Sequence, residues 1–129
     1  MDIIHPPHWA PTIGYSAGTK ATGCHIFIAG QVGWDAQQNW TTHDFIEQFE
    51  IALTNVLEVL KEGGGEVHHL TEMTMYVTDL DSYRQRAREL GPIWRKLMGR
   101  HYPAMALVGV AGLVEKEALI EIQARAVLP

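Results

Sequence analysis

Two aliphatic runs lie near the end of the chain, His101-Tyr-Pro-Ala-Met-Ala-Leu-Val-Gly-Val110 and Ala118-Leu-Ile-Glu-Ile-Gln-Ala-Arg-Ala-Val127. Proline, glycine or the chain terminus bounds each run, which is typical of β-strands. The second run alternates strictly, so that isoleucine and alanine form one face while Glu121, Gln123 and Arg125 share the other. We therefore predict two strands, and the three polar side chains indicate either a solvated face or a wet cleft.

The middle of the chain predicts two helices that flank a third strand. Thr41-Thr-His-Asp44 precedes an apolar stripe with helical spacing, so we predict a helix capped by Thr41 or Thr42 and ended by the glycines at 63–65. A strand over residues 69–78 follows, and then a second helix whose apolar positions begin at Tyr83. Gly91-Pro92 lies inside that pattern and predicts a kink or two short helices, because proline removes a backbone donor.

The N-terminal third predicts an irregular lead-in followed by a hairpin. Prolines crowd the first fourteen residues, and two strand-like runs at 15–22 and 23–30 meet at a Thr22-Gly23 turn. Both faces of the second run are largely apolar, which favours a central strand or one covered on both sides.

The order of strands and helices predicts an α+β fold with a single domain over residues 1–129. We expect both helices to pack on one face of a mixed sheet. The other face would then meet water or another subunit, and aliphatic residues on both sides of the strands favour a subunit.

Composition limits the partners that the chain can have. It has 129 residues and a net charge of −5, so we expect no nucleic-acid partner, and the basic residues between Arg84 and Arg100 are interpreted as a solvated helix face. No apolar run approaches the roughly 20 residues that span a bilayer, and the start of the chain does not resemble a signal peptide. A single cysteine, Cys24, excludes an internal disulfide, and together these features favour a cytoplasmic protein without a membrane partner.

The seven histidines do not show metal-ligand spacing. No helical pair four residues apart is present, and His68 and His69 would point to opposite sides of an extended segment. Cys24 and His25 would likewise face apart on a strand, which disfavours a nucleophile pair. We therefore expect no metal and no cofactor.

Six short segments in order identify the chain as similar to the RidA/YjgF family, also called L-PSP endoribonuclease-like. These segments are Tyr15-Ser16, Phe27-Ile-Ala-Gly-Gln31, the helix that ends at residues 63–65, Met75-Tyr-Val-Thr-Asp-Leu80, Tyr102-Pro-Ala104 and Ile120-Glu-Ile122, with Gly30-Gln31 closing the second strand. The resemblance implies a fold like that of Bacillus chorismate mutase, a homotrimer, and clefts between subunits that bind small metabolites. Typical members hydrolyse reactive enamines and imines such as 2-aminoacrylate.

The resemblance also implies site residues. Glu121 matches a glutamate that positions or activates water, and the candidate substrate-binding residues are Tyr15, Gly30, Gln31, Ala104, Met105 and Arg125. Met105 follows Pro103-Ala104 where the family has an arginine that anchors the substrate carboxylate. Without the two charge-assisted hydrogen bonds of that arginine, the binding free energy of a carboxylate is weaker by about 1.5–3 kcal/mol, or roughly 10- to 100-fold in affinity.

Each assignment has a structural alternative. Glu121 could be an ordinary strand residue, Tyr15 a cover for a sheet edge, Gly30 a turn and Met105 a core side chain. Arg125 could pair with Glu121 or replace the missing anchor. We accordingly predict a deaminase of small enamines or imines with altered substrate preference, with a non-catalytic trimer that binds a metabolite as the alternative.

Overall fold

The computed structural model describes all 129 residues and contains two sheets and two long helices. The strands are β1 (Asp2–Ile4), β2 (Gly18–Lys20), β3 (Cys24–Val32), β4 (Leu70–Val77), β5 (Ala104–Gly109) and β6 (Ile120–Leu128), and the helices are α1 (Phe45–Glu62) and α2 (Leu80–Met98). The main sheet has the order β3-β6-β4-β5, in which only β4 and β5 are parallel. A mixed sheet with two helices confirms the predicted α+β fold.

The apolar face of β6 forms the centre of the core. Ile120, Ile122 and Ala126 have no exposed surface, and Ala124 is buried with them. They pack in one cluster with α1 residues such as Phe49 and with Met73 and Met75 of β4. Because successive strand residues point to opposite sides, Glu121, Gln123 and Arg125 lie on the face away from the helices.

Helix α1 is capped by Asp44 and not by Thr41 or Thr42 as predicted. The Asp44 carboxylate accepts the Glu47 backbone N–H at 3.1 Å, and the Thr42 hydroxyl accepts the Asp44 N–H at 3.0 Å. Thr42 also donates to the Glu47 carboxylate at 2.8 Å. Thr42 therefore stabilises Asp44 and Glu47 from outside the helix. Asp44, which directly precedes the first helical residue, is the N-cap.

We predicted a kink or two short helices at Gly91-Pro92. Helix α2 runs unbroken from Leu80 to Met98 with Pro92 inside it, so the alternative of two short helices is wrong, and a kink stays a prediction. Gly91 has no Cβ to clash with the proline ring, which removes the usual restriction on the residue before proline. Arg88, whose carbonyl loses its donor, and Pro92 are both exposed. The missing hydrogen bond therefore lies on the solvent side, where it costs least.

The predicted N-terminal hairpin is also wrong. β2 pairs with β1, which lies in the segment expected to be irregular, while β3 pairs with β6. Gly23 lies next to the start of β3, and a Cβ there would be 1.8 Å from the Leu128 carbonyl oxygen, so only glycine fits against the end of β6. β3 therefore begins beside β6, where Cys24 pairs with Leu128, and not beside β2.

β3 forms an edge of the main sheet and is not central as predicted. Phe27 is 68% exposed on the face away from the helices, and Val108 on the opposite edge strand is 40% exposed. The apolar residues that suggested a covered strand are therefore uncovered within one chain. No helix in the structure combines the length and apolarity that membrane crossing requires.

Candidate functional site

The main sheet separates the predicted site residues into two groups. Met105 aligns with buried Met73 of the neighbouring strand and packs against the core on the helix side. Glu121 lies between the fully buried Ile120 and Ile122 and so points to the other side. One chain therefore does not bring the candidate catalytic carboxylate together with the position that replaces the family arginine.

A cavity of about 520 Å³ opens between β5 and α2. Twelve of its fifteen lining residues are hydrophobic, and they include Tyr15, Tyr83, Leu90, Trp94, Tyr102 and Met105. Tyr15 and Met105, predicted separately as substrate-binding residues, line this same space. The volume and apolar lining are those of a small-molecule pocket.

The segment around residue 102 fixes the wall of this helix-side cavity. The Tyr102 ring stacks on Trp94 with centroids 5.8 Å apart, and the Trp94 indole N–H donates to the His101 carbonyl at 3.2 Å. The Ser16 N–H donates to the Pro103 carbonyl at 3.1 Å, and the Ser16 hydroxyl donates to the Tyr102 carbonyl. These bonds hold Tyr15 beside β5, although the two segments are far apart in sequence.

Arg95 is the one charged residue that lines the helix-side cavity. It shares a face of α2 with Leu90, Gly91 and Trp94. Its guanidinium lies against Gly91, where an added Cβ would be 3.4 Å from one terminal nitrogen. None of the six ion pairs includes Arg95. Sequence analysis did not single out Arg95 as a site residue. Its position four residues after Gly91, on the apolar face of α2, was the signal that could have identified it.

On the opposite face, the Glu121 carboxylate lies directly over Gly30. A Cβ at residue 30 would be 2.6 Å from Oε2 of Glu121, so only glycine leaves the carboxylate its present position. Glu121 is half-buried and takes part in none of the side-chain ion pairs. Gln31, beside a register shift in β3, donates its amide to the Ala29 carbonyl at 3.1 Å and does not reach Glu121.

Arg125 does not pair with Glu121, so the interpretation of these two residues as an ion pair is wrong. Its Nε lies 3.6 Å from the Glu72 carboxylate, and its guanidinium lies 4.8 Å from the centre of the Phe27 ring. Neighbouring strands bring Glu72 directly opposite Arg125, whereas Glu121 is displaced along the same strand. Ala104 lines a smaller pocket with Arg125, on the face opposite Met105.

Gln48 is a buried polar residue that sequence analysis also missed. Its amide donates to the Glu117 carbonyl at 2.9 Å and accepts the Leu119 N–H at 2.8 Å, so it ties α1 to the segment that leads into β6. It has no exposed surface. Its position directly before Phe49 of the apolar stripe was the sequence signal that could have predicted a buried polar residue.

His68 and His69 lie side by side, contrary to the expectation that they point apart. A 3₁₀ turn over Val67–His69 brings their ring centroids to 4.1 Å, and potential ligand atoms of Glu66, His68 and His69 lie within 4.8 Å of one another. The Nδ1 of His69 already accepts the Glu66 N–H at 2.9 Å, and Glu66 and His68 are exposed. This cluster therefore has the arrangement of a turn stabilised by its own side chains.

A mixed sheet covered by two helices, with an apolar cavity at one sheet edge, defines a small α+β protein of the chorismate-mutase-like type. The family described as endoribonuclease L-PSP matches residues 7–128. The chain therefore belongs to this family, the RidA/YjgF group, as its sequence motifs indicated.

Known proteins agree with this assignment. The crystal structure of YyfB, a Rid family protein of unknown function from Yersinia pestis, has 30% identity and a TM-score of 0.87 over 98% of each chain. A goat protein named 2-iminobutanoate/2-iminopropanoate deaminase is 29% identical over 103 residues, which are 79% of this chain and 72% of the relative. The structure of Escherichia coli TdcF with bound serine has 25% identity and a TM-score of 0.73 over 100% of each chain.

Proposed function

We propose that this protein hydrolyses small enamine or imine metabolites, as a cytoplasmic homotrimer that needs no metal, cofactor or nucleic acid. The observation that carries the proposal is the position of Glu121, whose unpaired carboxylate lies over Gly30 on the sheet face away from the helices. The deaminase name of the goat relative and the serine bound to TdcF support a small-molecule site of this kind.

The helix-side cavity with Met105 and the Glu121 carboxylate over Gly30 lie far apart in one chain, which supports an assembly of several chains. The helix-side cavity adjoins β5, at one edge of the main sheet, whereas Gly30 belongs to β3 at the other edge. A ring that joins the β5 edge of one subunit to the β3 edge of the next would bring Met105 and Glu121 into one cleft. Head-to-tail contacts form a closed ring when the rotation between neighbouring subunits closes, and the family resemblance gives three subunits. The exposed Phe27 and Val108 would be covered in this ring.

The reaction requires a base for water and an acid for the leaving nitrogen. Glu121 would accept a proton from water as the water oxygen adds to the carbon of the protonated imine, C=NH₂⁺, which forms a neutral carbinolamine. It would return that proton to nitrogen as the C–N bond breaks. The proton of the carbinolamine hydroxyl then passes through the same carboxylate to the departing ammonia, so that ammonium and a carbonyl compound leave. A carboxylate in a partly shielded site suits both steps and contributes typically 10²- to 10⁴-fold to the rate.

The apolar lining of the cavity favours substrates other than those of typical members. Met105 supplies no charge where the family arginine would hold a carboxylate, and its flexible thioether suits an apolar group. The same feature favours a metabolite-binding trimer as the second candidate, since a cavity can retain a ligand without turnover.

The deciding experiment measures oxo-acid release from imino acids generated in solution by an amino-acid oxidase. The parent protein should exceed the spontaneous rate, and Glu121→Gln should fall toward it by about 10²- to 10⁴-fold. Gln123→Leu, on the same strand face, is the matched control and should retain the parent rate. Light scattering should give the same trimer mass for all three. A parent at the spontaneous rate that still binds oxo acids would favour the metabolite-binding trimer.

A further inference from the structure

We propose that Arg95 binds the substrate carboxylate in this protein, in place of the arginine that Met105 has replaced, and that the substrates are imino acids with bulky apolar side chains. The proposal rests on the enamine or imine deaminase function above and names its anchor and substrate class. Its starting point is that the helix-side cavity holds Met105 and Arg95 together, with no other charged group.

Arg95 is available for an anion in a way that Arg125 is not. Arg125 has the Glu72 carboxylate 3.6 Å from its Nε, lies against the Phe27 ring, and lines a pocket on the sheet face opposite Met105. Arg95 is exposed, takes part in none of the ion pairs and lines the cavity that contains position 105. A planar guanidinium can donate two parallel hydrogen bonds to a carboxylate, as the family arginine would.

Gly91 lies beside the Arg95 guanidinium at the cavity wall. An added Cβ at residue 91 would be 3.4 Å from a terminal nitrogen of Arg95, which is an ordinary van der Waals contact. Three tyrosines, Tyr15, Tyr83 and Tyr102, line the same cavity.

The rest of the lining defines the other end of the ligand. With the anion at Arg95, the substrate side chain meets Leu90, Trp94 and Met105. A space of about 520 Å³ exceeds what a three-carbon imino acid fills, so most of its apolar surface would remain unused. Branched aliphatic and aromatic imino acids bury that surface, and each added buried CH₂ is worth about 0.8 kcal/mol, or roughly fourfold in affinity.

The test is equilibrium binding by calorimetry, with two stable oxo acids as probes, 4-methyl-2-oxopentanoate and phenylpyruvate. The parent should bind both more tightly than pyruvate. Arg95→Ala should weaken both by roughly 10- to 100-fold, and Arg95→Lys should restore part of the affinity. Arg88→Ala is the matched control, because Arg88 is an exposed, unpaired arginine of the same helix outside the cavity.

A neutral probe separates anchoring from damage to the fold. The amide of 4-methyl-2-oxopentanoate lacks the carboxylate, so its affinity should be the same for the parent and for Arg95→Ala. Equal binding of the oxo acids by the parent and Arg95→Ala would overturn the anchor, and tighter binding of pyruvate than of either probe would overturn the substrate class. Failure of Glu121→Gln to reduce turnover would instead overturn the deaminase function, while the binding results would still decide the role of Arg95.

Discussion

The Glu121 carboxylate occupies the space that a side chain at residue 30 would need, since a Cβ there would lie 2.6 Å from Oε2 and 2.7 Å from Cδ of Glu121. Both atoms belong to the end of a flexible side chain and not to the backbone. A substitution at Gly30 would therefore move the carboxylate and leave the sheet in place. This relationship links a strand residue without chemistry of its own to the proposed base.

Gly30→Ala should lower the rate of imine hydrolysis by about 10- to 100-fold while the protein remains folded. Displacement of a catalytic group by about 1 Å can cost 10²-fold, whereas the stability effect of moving a flexible side chain is small. Single-turnover kinetics and thermal unfolding measure the two quantities.

The matched control for this glycine is Gly112→Ala. An added Cβ at Gly112 meets nothing within 4 Å, so both rate and melting temperature should equal those of the parent. A Gly30→Ala variant with full activity would mean that Glu121 does not need its observed position.

Gln48→Leu should destabilise the protein by about 2–4 kcal/mol. The change leaves the Leu119 N–H and the Glu117 carbonyl without their side-chain partner, and each unsatisfied buried group costs about 1–3 kcal/mol. Chemical denaturation at a fixed protein concentration measures the loss. Gln85→Leu, at an exposed position of α2, makes the same chemical change and should shift the free energy of unfolding by less than about 0.5 kcal/mol.

Local sequence patterns correctly predicted the helices and strands whose structure depends mainly on their own residues. The alternation in residues 120–126 gave the buried face of β6 correctly, and the stripe through Phe49 gave α1. The pairing of β2 did not follow from the sequence, because β2 pairs with β1 and β3 pairs with β6, and both pairings are tertiary. The Thr22-Gly23 pair suggests a hairpin, whereas the close approach of Gly23 to Leu128 exists only in the folded chain.

The candidate site was predictable as a list of residues but not as an arrangement. The sequence motifs identified Tyr15, Met105 and Glu121, yet the face on which each lies depends on strand register. Arg125 illustrates the limit: spacing along β6 suggested Glu121 as its partner, while the adjacent strand supplies Glu72. Arg95 was not predicted, because its relevance depends on the packing of α2 against β5.

Asp44 joins the two helices, and its contribution to stability should depend on pH. Arg86 of α2 lies 2.6 Å from the Asp44 carboxylate and holds the pKa of Asp44 below its ordinary value of 3.8. Because the folded-state pKa is lowered, the stabilisation is full above the unfolded pKa and is lost as pH falls through the folded pKa. The parent should thus exceed Asp44→Asn in stability by up to about 1 kcal/mol at pH 7, and the difference should shrink below a pH of about 4.

A second variant separates the ion pair from the helix cap. Asparagine keeps a side-chain oxygen for the Glu47 N–H, whereas Asp44→Ala loses the cap as well and should cost about 1 kcal/mol more at every pH. Glu50→Gln removes the other ion pair between the helices, Lys96–Glu50, and leaves the cap intact. If the parent and Asp44→Asn differ in free energy of unfolding by the same amount at pH 7 and at pH 3, the ion pair between Asp44 and Arg86 does not stabilise the protein as predicted.

Met105→Arg should shift the preference of the enzyme toward small imino acids. The new guanidinium would restore a carboxylate anchor at the position of the family arginine and place a charge where the bulky side chain is expected to bind. Hydrolysis of 2-aminoacrylate should rise roughly 10- to 100-fold, while turnover of a leucine-derived imine should fall. Met105→Leu keeps the position apolar and should leave both rates close to the parent's. Release of pyruvate and of 4-methyl-2-oxopentanoate measures the two reactions. If both rates rise, or if neither rises, residue 105 does not set the substrate preference.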